Sequence, residues 1–390
     1  MDYNQEALKL HKECKGKLNI VSSVSIINKD DLSTAYTPGV AEPCRQISAN
    51  PDDVYTYTIK GRTVAVISNG TAVLGLGNIG PEAGLPVMEG KCVLFKEFAG
   101  IDAVPLCIKA DSASEVIAFC KAVSPTFGGI NLEDIKSPEC FEIEETLRKE
   151  LSIPVFHDDQ HGTAVVVTSA LINALRVVNK SFDSIRVVIN GPGAAGTAIL
   201  KMLMAAGVSD IVAVDEFGCL VEGCERNESH KRWIAKVTNP RKITGTLQDA
   251  IQDADVFIGV SKPGCLTGDM IRQMNNNPIV FAMANPNPEI MPDEAKAAGA
   301  KVVATGRSDF PNQVNNVLGF PGIFKGALSV RAKDINDEMK LAAAYALADL
   351  ISSDELNEDY VIASPFDKRV VDQVSKAVAN AAIKTGVAGV

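Results

Sequence analysis

The sequence is poor in aromatic residues, at 5% with a single Trp, and has only four histidines in 390 residues. Positive charge is in deficit, with a net charge of −10 and a pI near 5.1. A chain this acidic is a poor nucleic-acid binder, because such binding is dominated by cations that neutralise phosphates. The longest apolar stretch, around residues 162–175, falls short of the roughly 20 residues that a membrane span needs. The opening segment, MDYNQEALKLHKECKGK, has no apolar core of a signal peptide. The nine cysteines are scattered without a Cys-x-x-Cys pair. That pattern argues against a disulfide frame or a zinc ribbon and for reduced thiols in a cytoplasmic protein. No internal repeat, low-complexity tract or long run of like charge is present.

What remains is a folded-protein composition, 46% hydrophobic and 22% charged. The chain is too long for one compact core, so two or three domains are expected. Residues 3–17 have the pattern of a polar-faced helix, and residues 20–60 read as irregular, broken by Pro38, Pro43 and Pro51. Strand-like runs follow at 64–67, 104–109, 130–132 and 153–156, with helices expected over 113–123 and 140–150. The apolar segment 163–178 reads as a helix buried on all sides. From Arg186 strands alternate with helices, at 187–190, 211–214, 256–258, 279–282 and 302–304, which argues a parallel, doubly wound sheet. Helical packing closes the chain, over 337–350 and 368–384. The expected division is a first α/β domain over 1–160 and a second domain over 161–390.

In VVINGPGAAG an apolar run leads into Gly191, Gly193 and Gly196, and a helix follows through Ala194 and Ala195. This is the G-x-G-x-x-G turn in its required setting of strand, turn and helix. Gly191 permits the tight turn, Gly193 lets a pyrophosphate approach the backbone, and Gly196 lets the helix pack on the sheet. Asp215 ends the next strand, at the expected distance of roughly 20 residues, where an acid bonds the adenosine ribose. Glu216 and Phe217 follow it, with no adjacent cation to receive a 2′-phosphate. NAD is therefore expected over NADP, unless Lys231 and Arg232 fold back.

Two acidic pairs close strands: Glu133 with Asp134, and Asp158 with Asp159. Carboxylates that converge repel unless a cation sits among them, and hard oxygen donors without thiolates select Mg2+ or Mn2+. Such pairs also serve as helix caps. His157 and His161 in HDDQH share the i, i+4 spacing of a zinc motif, but the Glu that motif needs is replaced by Asp158. Lys91, before the apolar run 92–95, suits either a base driven towards neutrality or an exposed position at a strand or helix edge. Tyr36 lies in a Pro- and Gly-bounded loop, as packing or as a proton donor. Asn285 follows the strand 279–282, and Asn315 and Asn316 form a polar cluster between Pro311 and Pro321, where amides orient ligands or cap loops.

Seven segments, in order, resemble the malic enzyme family in its short prokaryotic form: AYTPGVAEPC, VLGLGNIGPEAGLPVMEGKCVLFKEFAGID, INLEDIKSPECFEIE, VFHDDQHGTAVV, INGPGAAG, ANPNPEI and ATGRSDFPNQVNNVLGFPGIFKGAL. The resemblance implies an α/β fold with an N-terminal substrate domain and a C-terminal Rossmann-type sheet. It implies oxidative decarboxylation of (S)-malate to pyruvate with NAD, dependent on Mg2+ or Mn2+, and decarboxylation of oxaloacetate. It assigns Tyr36 as general acid, Lys91 as general base and Asp158 to the catalytic network. Glu133, Asp134 and Asp159 match the metal ligands, and Asn285 and Asn316 the asparagines at substrate and nicotinamide. In long members an arginine that grips the substrate stands where this chain has Ala72, leaving Arg45, Thr71 or loop N–H groups for that task. A homodimer joined through the N-terminal helix is implied. The rivals are an oxaloacetate decarboxylase without malate oxidation and a sensor that binds dinucleotide without chemistry. Malolactic relatives resemble the long form.

Overall fold

The computed structural model describes residues 2–73, 75–224 and 229–390. Four short strands form a parallel sheet: β1 (Thr63–Ser68), β2 (Asp102–Cys107), β3 (Gly129–Leu132) and β4 (Val155–His157), in the order β2-β1-β3-β4. Six more form a second sheet: β5 (Arg186–Asn190), β6 (Asp210–Asp215), β7 (Gly218–Cys219), β8 (Val256–Gly259), β9 (Ile279–Ala282) and β10 (Val302–Thr305), in the order β10-β9-β8-β5-β6-β7. Only β7 runs antiparallel to its neighbour in that sheet. The expected α/β architecture, with a doubly wound sheet in the second half, is present.

The period of two in each strand decides which layer it binds. In β1, Val64 and Val66 face a core that includes Met88 and Phe95, while Ala65 and Ile67 face one with Val116 and Ile143. Both faces are covered, so β1 is buried at every position. The first of these cores continues into the second sheet through Val187 and Ile189 and through the helix Asp158–Val178. Each fully buried Val, Leu, Ile or Phe contributes roughly 1.5–3 kcal/mol of transfer free energy.

That helix is long and apolar enough to cross a bilayer, although the apolar stretch 162–175 falls short by itself. It is buried inside the protein along most of its length, as a core helix is. It begins at Asp158, five residues before the expected start. Asp158 and Asp159 occupy its first turn, where acidic groups complement the helix dipole, and the polar cluster hides the helical period.

Other expectations shift. The strand expected over 104–109 spans Asp102–Cys107. The first helix stops at Cys14, where Lys15 and Gly16 take positive φ. Residues 20–60 are not irregular: they hold helices Lys29–Ala35, Ala41–Ala49 and Val54–Tyr57. Asn28 and Asp31 close a capping box on the first of these, and Pro43 sits in the opening turn of the second, where its missing N–H costs nothing. None of these helices buries a residue, so no apolar period announces them.

Candidate functional site

In open parallel sheets, ligands bind at the carboxyl ends of strands where the chain order reverses. Here β3 delivers Glu133 and Asp134 to that edge, and β4 delivers Asp158 and Asp159. Lys91 comes from the helix Pro81–Ala99, whose Met88, Cys92 and Phe95 face the core. Phe95, one turn beyond Lys91, packs edge-on to Phe320 at 4.7 Å and Phe324 at 5.3 Å, and Phe324 meets Phe156 of β4 at 5.8 Å. These rings join the two halves directly beneath the lysine, whose Nζ lies 4.3 Å from the Phe320 ring centroid.

Lys91 Nζ donates to Asp158 Oδ2 at 2.6 Å and lies 2.9 Å from Glu133 Oε1. Asn316 Nδ2 also donates to Asp158 Oδ2, at 3.1 Å, and its own carbonyl accepts from the Thr163 hydroxyl. The other Glu133 oxygen accepts from Asn131 Nδ2 at 2.8 Å. The Asp134 backbone N–H donates to Asp159 Oδ2 at 2.8 Å, with Asp134 itself at φ 53. Two carboxylates, Asp158 and Glu133, thus hold the ammonium, and Asp134 and Asp159 lie beside Glu133. Burial works against the charge on Lys91, but Asp158 and then Glu133 outweigh it and hold the amine above its ordinary range. Apolar neighbours therefore do not drive this lysine towards neutrality within the cluster. Burial pushes Glu133 well above the usual carboxylate range, Lys91 opposes it, and the neighbouring aspartates add to the push. Burial likewise raises Asp158 against the pull of Lys91.

Glu133, Asp134 and Asp159 each offer an oxygen within 4.8 Å of the other two, and no other such group of Asp, Glu, His or Cys occurs among the described residues. Octahedral Mg2+ with bonds of about 2.1 Å sets its oxygens ~3.0–4.2 Å apart, so a small contraction suffices. The all-oxygen donor set and the mutual repulsion both fit a hard divalent cation. The zinc alternative has no geometry: His157 Nε2 lies 3.5 Å from Asp159, whereas His161 Nε2 lies 2.8 Å from Glu144.

The second sheet presents the dinucleotide turn. A Cβ on Gly191 would come 2.7 Å from the Val260 carbonyl, and one on Gly196 would come 2.1 Å from the Gly191 carbonyl. Both positions demand glycine. A Cβ on Gly193 would enter open space, the place a pyrophosphate would take. No side chain caps the helix Ala194–Ala205, so the N–H groups around Ala194 and Ala195 suit an anion. Asp215 stands at the end of β6, but both its oxygens are engaged: Oδ1 accepts the Phe217 N–H at 2.8 Å and Oδ2 pairs with Lys231 Nζ at 3.1 Å. Lys231 does fold back, then.

The structure thus joins Lys91, Asp158, Glu133, Asp134, Asp159 and Asn316. Asn285 follows β9, with its amide beside Gly306 and its backbone carbonyl beside Gly75. Tyr36 is 67% exposed on the N-terminal arm, and no hydrogen bond of its side chain reaches the cluster. Arg45 is also outside, paired with Glu42 on the surface. Thr71 is nearer: its hydroxyl accepts the Lys136 N–H, and the Ala72 N–H donates to the Asp134 carbonyl. A cleft of about 1120 Å³ lies elsewhere, lined by Glu144, Arg148, Lys201 and Trp233, and no member of the Lys91 cluster lines it. Sequence reasoning missed Asn131 and Gly162. Asn131 sits two residues before Glu133, on the same strand face, which the period of two could have revealed. Gly162 lies one helical turn after Asp158, where a Cβ would come 1.9 Å from Asp158 Oδ1.

Two family models match the chain: the malic enzyme NAD-binding domain over residues 160–387 and the malic enzyme N-terminal domain over 15–115. A bifunctional malic/malolactic enzyme of Bacillus subtilis is 59% identical, covering all of this chain and 95% of its own length. An NAD-dependent malic enzyme of Geobacillus stearothermophilus is 55% identical, covering 96% and 78%. The crystal structure of malic enzyme from Pyrococcus horikoshii superposes with a TM-score of 0.96 at 50% identity, covering 99% and 92%. Further relatives carry NADP in their names. Against expectation, chain length does not separate malolactic relatives from the rest, since the Bacillus protein is scarcely longer than this one. A family model spanning more than half the residues, a relative matched over the full chain and a superposing fold agree that the chain belongs to the malic enzyme family.

Proposed function

We propose that this chain oxidatively decarboxylates (S)-malate to pyruvate and carbon dioxide, with NAD as hydride acceptor and Mg2+ or Mn2+ at Glu133, Asp134 and Asp159. What supports this best is the meeting of Lys91, Asp158 and Asn316 with those three carboxylates at one sheet edge. A divalent ion held there supplies a Lewis acid for the C2 oxygen of malate and for the enolate that loss of carbon dioxide leaves. The nicotinamide supplies the hydride acceptor.

The chain handles the protons. Lys91 is the group placed to take the C2 hydroxyl proton, and to do so it must first give up its own. Asp158 is the acceptor in line, at 2.6 Å, and would receive that proton before Lys91 acts as a base. Asn316 fixes the shared oxygen, and Phe320 closes the ammonium off from below. Tyr36 is the acid for C3 of the enol product. It reaches the site from a second copy: Ile20, Val21, Ile27 and Tyr36 are all strongly exposed on the arm, an apolar surface that a partner would cover. The assembly is then a homodimer with Tyr36 supplied in trans.

NAD is proposed on the likeness to the NAD-dependent Geobacillus enzyme; the acids at 215 and 216 add little to it, because each is paired with a lysine, Asp215 with Lys231 at 3.1 Å and Glu216 with Lys262 at 3.3 Å. The test is an assay of malate with Mn2+ and each dinucleotide in turn, quantifying reduced nucleotide, pyruvate and lactate. Equal amounts of NADH and pyruvate are expected. Carbon dioxide from oxaloacetate with no NADH from malate would support a plain decarboxylase instead. Lactate without net NADH would support malolactic chemistry, the reading that the Bacillus relative's name raises.

A further inference from the structure

Glu144 lies on the helix Glu139–Glu150, an element separate from the turn that carries Asp158 and Asp159. Its side chain is buried. A buried carboxylate is costly unless donors match its lone pairs, and the turn provides them. Oε1 accepts the His157 backbone N–H at 3.0 Å. Oε2 accepts from Gln160 Nε2 at 3.2 Å and lies 2.8 Å from His161 Nε2. These donors flank the pair: one precedes Asp158 and two follow Asp159.

The grip extends into the second half of the chain. Lys340 Nζ lies 3.4 Å from His161 Nδ1 and pairs with Asp337 at 2.6 Å. An ionised carboxylate only accepts, so His161 carries its proton on Nε2 and turns the Nδ1 lone pair to the ammonium. Every group from Asp337 through Lys340, His161 and Glu144 to His157 is thereby oriented by its neighbours.

The need for such a clamp follows from the geometry of the turn. Asp158 points to Lys91 and Asp159 to the Asp134 N–H, yet consecutive helical residues diverge by about 100°. Rotation of the helix start would carry one towards its partner and the other away. The strand before it, β4, has only three residues, Val155–His157. Asp134, Asp158 and Asp159 crowd the carboxylate of Glu133, and such a rotation would relieve that repulsion, which Glu144 opposes.

We propose that Glu144 is a positioning residue that sets the rotation of the Asp158–Asp159 turn, keeping Asp159 with Glu133 and Asp134 while Asp158 stays on Lys91. This rests on the reading of the trio as a cation site. The test uses Mn2+ binding to the full-length protein without substrate, read by electron paramagnetic resonance, beside thermal melts. Glu144→Gln should stay folded and bind Mn2+ about tenfold more weakly or worse, the scale of loss when a supporting partner of a metal ligand is removed. Its NADH affinity, read by fluorescence, should hold.

In that variant the amide oxygen keeps the fixed His157 N–H, so the amide nitrogen faces Gln160 and His161: the Gln160 amide can turn its oxygen inwards, whereas the imidazole proton must move to Nδ1, against the Lys340 ammonium. Adding Lys340→Met removes the clash, and the double variant should recover part of the Mn2+ affinity. A packing role alone predicts that the double variant is worse. Should Glu144→Gln not fold, Gln160→Leu removes one of the donors and should weaken Mn2+ binding to a smaller, measurable degree. Wild-type Mn2+ affinity in a folded Glu144→Gln, or in folded Gln160→Leu, overturns the proposal. Glu133→Gln and Asp159→Asn are measured alongside: if they too bind as wild type, the cation-site reading itself falls; if they abolish binding while Glu144→Gln does not, only the present inference falls.

Discussion

Coexpression of Tyr36→Phe and Lys91→Ala chains reports where the phenol comes from. Tyr36 stands 67% exposed on an arm whose neighbouring side chains Ile20, Val21, Val24 and Ile27 are exposed as well. The arm leaves the body at Lys17, whose N–H donates to Glu89 Oε2 at 2.9 Å and whose Nζ donates to the Pro86 carbonyl at 2.7 Å. Both acceptors lie on the helix that carries Lys91. Each apolar side chain of the arm that a partner covers contributes roughly 1.5–3 kcal/mol, enough in sum to offset the loss of freedom on association. Alone, each variant should lose roughly 10²–10⁴-fold in pyruvate formation, the usual worth of a positioned acid or base. With Tyr36 in trans, a mixed dimer has one intact site, built from Lys91 of one chain and Tyr36 of the other. Random pairing makes half the dimers mixed, so about a quarter of wild-type activity should return, and about half in mixed dimers isolated through two tags. With Tyr36 in cis, no site in a mixed dimer is whole. Mixed dimers no more active than the parents would refute the trans arrangement.

The cluster trades stability for chemistry, so Glu133→Gln should abolish Mn2+ binding and turnover yet raise the melting temperature, because burial and three neighbouring carboxylates oppose this charge; a lower melting temperature in that variant would contradict the electrostatic account. Lys231→Ala frees Asp215 for the ribose hydroxyls and should shift the ratio of kcat/KM for NADP over NAD downwards by about tenfold, near the worth of one charge-assisted contact; an unchanged ratio would show that specificity lies elsewhere. Glu144 sits at about 2 against an ordinary 4.5, since His161, His157 and Lys340 outweigh its burial. A depressed carboxyl stabilises fully above its unfolded pKa and loses that contribution as pH falls through the folded one. The gap in melting temperature between wild type and Glu144→Gln should therefore be widest near neutrality and close between pH 4.5 and about 2; a gap constant with pH would oppose this.

What was legible in the sequence follows from where each pattern is written. Buried parallel strands such as β1 and β5 announce themselves as short apolar runs, and the Gly191 turn announces itself because two of its positions reject any Cβ. The carboxylates were found as strand-end residues for the same reason: a parallel sheet exposes its functional groups there. Glu144 was invisible. In ECFEIEETLRKE it is one acid among five, and only the distant turn at residues 157–161 makes it differ from its solvent-facing neighbours. The helices of residues 29–57 were missed because they bury no residue, so no local core leaves a period to read. On the proposed trans arrangement the same cause hides the place of Tyr36: a side chain completed by another copy would carry its constraint in the partner's surface, which neither a single sequence nor a single chain displays. Exposure of an apolar arm around a chemically competent phenol is the trace that such a constraint leaves, and it is the observation from which the complementation experiment takes its sign.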